Sequence, residues 1–186
     1  MDEKIVGPKL FLRELTLEDW NGVHSYASLE KVSRYQAWGP NTETETYEFV
    51  RTIVEDAERS PRTRFVFAVI HMEQQKLVGA GEINIRSIHH RQGEIPYIIH
   101  PDYWGQGLAT ETARLLIQFG FHSLHLHRIF GTCDPRNKAS ASVLEKVGMK
   151  KEGQLRQNMR IENEWRDSML FSVLEQEWNQ YNPNIQ

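Results

Sequence analysis

His100-Pro101-Asp102-Tyr103-Trp104-Gly105-Gln106-Gly107-Leu108-Ala109-Thr110-Glu111 joins a strand-like region to a helix-like one. Upstream, Arg64 to Met72, Lys76 to Ile85 and Glu94 to His100 are rich in Val, Ile and Phe and are separated by polar residues that can turn. They read as an antiparallel meander. Downstream, Leu108, Thr112, Leu115, Leu116 and Phe119 fall on one helical face. The sequence is therefore strand, glycine loop, helix. The first N–H groups of a helix have no partner within it, and the helix dipole adds positive potential there, so such a loop binds anions.

The anion could belong to a mononucleotide, a dinucleotide or coenzyme A. No Gly-Lys-Ser/Thr closes the loop, so the Walker pattern fails. Gly105-Gln106-Gly107-Leu108-Ala109-Thr110 lacks the third glycine of the dinucleotide fingerprint, and the acidic ribose partner is missing too. Alone, Gly-x-Gly is equally the mark of a tight strand-to-helix turn. Pro96 adds to it: inside the third strand it removes a ladder donor, which implies an edge, a bulge or a local parting of strands just before the loop.

Near the N-terminus, Thr16 caps a helix with Glu18 and Asp19 in its first turn and Leu17, Trp20, Val23 and Ala27 at helical spacing. Thr42 and Glu45 form a capping box for a second helix, with Tyr47, Val50, Val54 and Ala57 along one face. Beyond the loop helix, Arg128 to Cys133 reads as a strand and Asn137 to Val147 as a helix stopped by Gly148. Met149 to Leu155 and Trp165 to Leu174 read as closing strands. The order is ααβββαβαββ, an α+β fold. Without repeats or linkers, 186 residues make one domain, 1–186, with a core at about 8–178.

Composition removes several classes of function. No apolar run approaches the ~20 residues that a membrane helix needs, so no membrane partner is expected. A net charge of −3 with scattered Lys and Arg offers no field to a phosphate backbone, so no nucleic acid is expected either. The single cysteine forms no internal disulfide, and the N-terminus has no basic segment followed by an apolar one. A cytoplasmic protein fits these features.

From Tyr97 to Gly153 the chain carries a fuller pattern: the opening stretch, then Leu126-His127-Arg128-Ile129, Asn137-Lys138-Ala139-Ser140 and Glu145-Lys146-Val147-Gly148-Met149. Together these resemble the GNAT superfamily of N-acetyltransferases, and within it the RimJ/RimL-like group that acetylates protein N-termini and other amines. The resemblance implies a mixed α/β GNAT fold, with a mostly antiparallel central sheet splayed at its fourth strand and helices on both faces. It implies acetyl-CoA as co-substrate and no metal. In that pattern Trp104 and Gly105 open the loop and belong with it to the cofactor-binding residues, and the backbone amides of Gln106, Gly107, Leu108, Ala109 and Thr110 hold the pyrophosphate. The splayed strand through Ile98, Ile99 and His100 hydrogen-bonds the pantetheine arm, and Asn137 and Ser140 lie along it.

The chain departs from the family at three places. Trp104 stands three residues before Gly107, where many relatives carry Gln or Arg. Leu144, seven residues after Asn137, replaces the tyrosine proton donor of other branches. Met159 aligns with a glutamate that serves some relatives as a base.

Acetyl transfer from a thioester to an amine needs a neutral amine, an oriented carbonyl and a route for protons, and direct attack is the economical mechanism. Glu94 and Glu82 are the candidate bases, each on a strand bordering the expected gap; an outward, solvated carboxylate is the plainer role for both. Ser140 is the candidate proton donor to the thiolate, against a merely local cap. An N–H at Ile98 or Ile99 is a candidate for binding the carbonyl oxygen. Cys133 sits in an apolar strand and reads as a small hydrophobe rather than a nucleophile. His122, His125 and His127 have no cysteine or carboxylate with them and make no metal site.

Trp20, Tyr35, Trp38 and Tyr47 are candidates for an acceptor pocket. Glu43, Glu45 and Glu48 are candidates for steering a cationic acceptor, although the dipole alone favours acids in a helix's first turn. The expected function is N-acetyl transfer to a primary amine, either a peptide N-terminus or a small amine. The alternatives are a non-catalytic acyl-coenzyme A binding or sensing module and a nucleotide-binding module. The last strand is a candidate for pairing across a homodimer.

Overall fold

A computed structural model describes residues 4–161 and 163–181; the ends of the expected 1–186 domain, and Glu162, lie outside the described residues. The described chain forms one sheet in the order β1-β2-β3-β4-β5-β7-β9-β8, with β6 paired to β4 off that path. Two strands precede the first helix: β1 (Ile5–Val6) and β2 (Leu10–Glu14). β3 (Arg64–His71) and β4 (Lys76–Ser87) continue the antiparallel order. β7 (Arg128–Cys133), β8 (Lys150–Ile161) and β9 (Glu164–Leu174) close it.

Both faces are covered, and the strands show why. β3 alternates Phe65, Phe67 and Val69 with Val66, Ala68 and Ile70, so neither face is polar and each must be buried. The first set packs with Leu108, Leu115, Leu116 and Phe121 of α4 (Leu108–His122). The second packs with Val23 and Tyr26 of α1 (Trp20–Ala27), Val32 of α2 (Glu30–Ser33), and Val50 and Ile53 of α3 (Glu43–Ala57). α5 (Lys138–Lys146) buries Ala141 and Leu144 in the first cluster, and α6 (Glu175–Tyr181) adds Trp178.

Several details depart from the sequence reading. The first helix opens as a 3-10 turn, Leu17–Asp19, boxed by Thr16 and Asp19, and only then becomes α-helical. α3 has the expected capping box, but its buried face is Thr46, Val50 and Ile53, while Tyr47 is 38% exposed. Thr46 can turn inward because its hydroxyl finds His24 Nδ1 at 3.0 Å and Thr42 O at 3.0 Å. The last strand, β9, cannot pair across a dimer: β7 occupies one edge and β8 the other. β8 is the edge strand at that end of the sheet.

The expected strand from Glu94 to His100 is two strands, β5 (Gln92–Glu94) and β6 (Tyr97–Ile99), divided at Pro96. β5 pairs parallel with β7 over Gln92, Gly93 and Glu94, and Ile95 N makes one more bond to Phe130 O at 3.0 Å. Pro96 has no N–H to continue. Its carbonyl accepts from Glu82 N on β4, and β6 follows β4 alone. From there β6 and β7 are unpaired, which is the splay.

Candidate active site

The glycine loop forms because two residues adopt conformations that side chains resist. Gly105 has φ +77° and Gly107, which caps α4, has φ +83°. The first intrahelical bond of α4 is Glu111 N to Gly107 O, so the amides of Leu108, Ala109 and Thr110 are spent on nothing inside the helix. Leu108 buries its side chain in the core and offers only its amide. A Cβ on Gly105 would meet nothing within 4 Å, so the loop is open on that side. These residues fit a diphosphate: bare amides, a helix N-terminus and open space beside Gly105.

The open edge of β6 is read from its bonds to β4. His100 N donates to Val78 O at 2.7 Å, and Pro96 O accepts from Glu82 N. By the alternation of an antiparallel ladder, Ile98 between them also faces β4. Tyr97 and Ile99 therefore direct their backbone groups toward the splay. Of the two expected amides, that of Ile99 reaches the gap and that of Ile98 is turned into the sheet. The Ile99 carbonyl takes the indole N–H of Trp104 at 2.7 Å, so this tryptophan braces the strand end. The His100 ring accepts from Asp102 N and caps the 3-10 turn Pro101–Tyr103; its amide is spent in the ladder.

A cleft opens where β6 leaves β7. It is lined by Glu94, Pro96, Tyr97, Cys133, Asn137 and Ser140 on the chemistry side and by Tyr35, Met159 and Arg166 further out. Asn137 caps α5 by accepting from Ser140 N at 3.1 Å, which fixes the serine at the cleft wall. Glu94 Oε1 accepts from Thr132 Oγ1 at 3.4 Å, while Oε2 is held by Arg86 Nε at 2.8 Å. Glu82 does not line this cleft. Its two oxygens are taken by Arg64, Nε at 2.7 Å and Nη2 at 3.2 Å, an arrangement that suits a structural ion pair.

Sequence reasoning missed Tyr97. Its hydroxyl stands 3.4 Å from Ser140 Oγ, 43 residues away in the chain, so no local pattern could have signalled it. Burial pushes the phenol up to about 12, against the lowering effect of its contact with Ser140, and the group stays protonated at neutral pH. The absent tyrosine position, Leu144, is buried core. Cys133 is buried, and burial raises its thiol, so it holds its proton.

Of the other candidates, Tyr35 reaches the cleft wall; Trp20 packs edge-on against Tyr47 at 6.0 Å, and Trp38 is half-exposed elsewhere. Glu43 stands exposed in the first turn of α3. Glu45 is occupied by the amide and hydroxyl of Thr42, and Glu48 pairs with Arg51. Among the described residues no three of His, Cys, Asp or Glu gather to hold a metal, and no helix is long and apolar enough to cross a membrane.

A splayed, mostly antiparallel sheet with a glycine loop opening the helix after the splay defines an acyltransferase of the GNAT type. The model of the acetyltransferase (GNAT) domain matches residues 9–150, and the chain belongs to this family. It is 32% identical over 176 residues to an uncharacterized N-acetyltransferase, YnaD, of Bacillus subtilis (strain 168), covering 94% of this chain and 99% of that protein. A spermidine N(1)-acetyltransferase of Escherichia coli (strain K12) is 27% identical, covering 90% of this chain and 87% of the relative. The crystal structure of a GNAT-family acetyltransferase from Bacillus anthracis superposes with a TM-score of 0.82 at 32% identity, covering 94% and 99% of the two chains.

Proposed function

We propose that this enzyme transfers the acetyl group of acetyl-CoA to a primary amine, a peptide N-terminus or a small amine, by direct attack. The observation that carries the reading is the parting of β6 from β7 at Pro96, which opens between the glycine loop and a cleft containing Ser140 and Glu94. Acetyl-CoA supplies a thioester carbonyl activated toward amines. The loop amides from Gln106 to Thr110 hold its pyrophosphate, and the open edge of β6 holds the pantetheine amides. Ile99 N–H is then directed at the carbonyl oxygen, where a donor is worth most as negative charge develops.

Glu94 is the base, taking the amine proton directly or through one water; its Oε1 carries only the long contact from Thr132. As Ser140 Oγ–H gives its proton to the leaving thiolate, the protonated Tyr97 hydroxyl beside it passes its own to that serine, and Tyr97 regains a proton from solvent once the cleft opens. This pair supplies from a strand what Leu144 lacks, and so favours catalysis over a sensing module. Spermidine is the substrate in one relative's name, which supports a small cationic amine among the acceptors of this chain. The RimJ/RimL-like subgroup rests on the stretch from Tyr97 to Gly153, and a cytoplasmic setting on the one unpaired cysteine.

The test follows thiol release from acetyl-CoA with a panel of peptides, polyamines and small amines. Ser140→Ala and Tyr97→Phe should each lower kcat about 10- to 100-fold with coenzyme A affinity unchanged, and the double variant should lose little more than either single one. Cys133→Ala should retain most turnover. Additive losses would separate Tyr97 from Ser140, ping-pong kinetics would overturn direct attack, and no thiol release with any amine would overturn the reaction.

A further inference from the structure

Lys9 follows Pro8 and leads into β2, and its place is fixed by a residue on the loop helix. Glu111 Oε1 accepts from Lys9 N at 2.8 Å and from Leu10 N at 3.1 Å, and this carboxylate is only 9% exposed. It fastens the start of β2 to the first turn of α4. Leu10 and Leu12 are fully buried just beyond, so the anchorage is rigid. As a result the Lys9 side chain lies against the glycine loop: Nζ donates to Gln106 O at 3.0 Å, and a Cβ on Gly107 would stand 4.0 Å from it.

The loop from Gly105 to Thr110 carries no cationic side chain, and Trp104 stands before it. Its amides and the helix terminus amount to roughly half a positive charge. A diphosphate diester carries two negative charges. An ammonium has three donors, and Gln106 O uses one. Among the described residues no carboxylate lies within ion-pair distance of Nζ.

We propose that Lys9 is a coenzyme A-binding residue, its ammonium pairing with the pyrophosphate and supplying the full charge that the loop lacks. The proposal rests on the reading that this loop holds the pyrophosphate of acetyl-CoA. A lysine that only braced the loop through Gln106 O would behave differently, and the difference can be measured.

Calorimetry on the full-length chain would compare wild type, Lys9→Gln and Lys9→Arg against coenzyme A, dephospho-coenzyme A and pantetheine, with melting temperatures checked to confirm folding. Lys9→Gln should bind coenzyme A and dephospho-coenzyme A about tenfold more weakly, the size of one charge-assisted hydrogen bond, and pantetheine as well as wild type does. Lys9→Arg should recover most of the loss, and the gap between wild type and Lys9→Gln should narrow as salt rises. Unchanged coenzyme A affinity in Lys9→Gln would overturn the proposal. So would an equal loss toward pantetheine, which would make Lys9 a brace, or a loss confined to coenzyme A, which would place the charge on the 3′-phosphate. Wild type binding pantetheine as tightly as coenzyme A would instead remove the phosphate role of the loop itself.

Discussion

Gly107 is where residue chemistry and function meet most directly. At φ +83° a side chain is strained by about 1–2 kcal/mol, and proline, fixed near −65°, cannot adopt the conformation at all. Gln106 by contrast uses only its backbone, with its side chain reaching back to Asp102 O at 3.3 Å. Gly107→Pro or Gly107→Asp should therefore reduce coenzyme A affinity at least tenfold, and Gln106→Ala less than twofold, by calorimetry. Equal affinity in all three would remove the loop from the binding site. The glycine loop was legible in sequence because it is contiguous. The partners of the other candidates were not: Arg64 reaches Glu82 across β3 and β4, and Arg86 reaches Glu94 across a hairpin, so only the fold reveals that one carboxylate is saturated and the other keeps an oxygen toward the cleft.

Among the elements, β4 and β6 approach so closely that Gly79 has no room for a methyl group. A Cβ there would stand 2.2 Å from the carbonyl oxygen of Ile98 and 3.1 Å from Ile99 Cα, and backbone atoms cannot yield as a flexible side chain can. Gly79→Ala should push β6 away from β4, costing about 1–3 kcal/mol in denaturant unfolding. Because β6 carries the open edge, coenzyme A affinity should fall too; a variant losing stability alone would argue that β6 takes no part in binding. Period-2 and period-3.6 patterns found β3, β4, β7, α3 and α4 to within a few residues. They missed β1, β2, α2 and α6; β1 and α2 are two and four residues long, too short for any period to register, and β2 and α6 were not read at all. They also set the face of α3 about one residue off, keeping Val50 but taking Tyr47 for Thr46, because Thr46 counts as polar until its partners His24 and Thr42 are known.

At the scale of the molecule, ion pairs at element junctions tie stability to pH. Burial raises the Asp19 carboxyl, but two hydrogen bonds from Arg13, each 2.7 Å, and one from the Thr16 amide outweigh it and leave Asp19 below the usual carboxylate range. A carboxyl depressed in the folded state adds stability that is fully present above its unfolded value, about 3.9, and is lost as pH falls through the lower folded value. Asp19→Asn should therefore cost roughly 1–2 kcal/mol at pH 7 and progressively less below about pH 4, read from melting curves across that range. A penalty independent of pH would show that the pair between β2 and α1 is structural packing rather than charge.

The seam at Pro96 has one more consequence. Among the described residues the only ladder joining the six N-terminal strands to β7, β9 and β8 is the short run Gln92 to Glu94 with its one extra bond at Ile95. Along the sheet itself the two halves are plates joined by this narrow strip, while one hydrophobic cluster runs beneath both; one plate presents the open edge of β6 and the other the wall with Ser140. A reactant lying between them touches both plates at once and supplies the missing cross-links. On the reading proposed above, hydrogen exchange along β6 and β7 should slow when coenzyme A is bound and return to its free rate when it leaves.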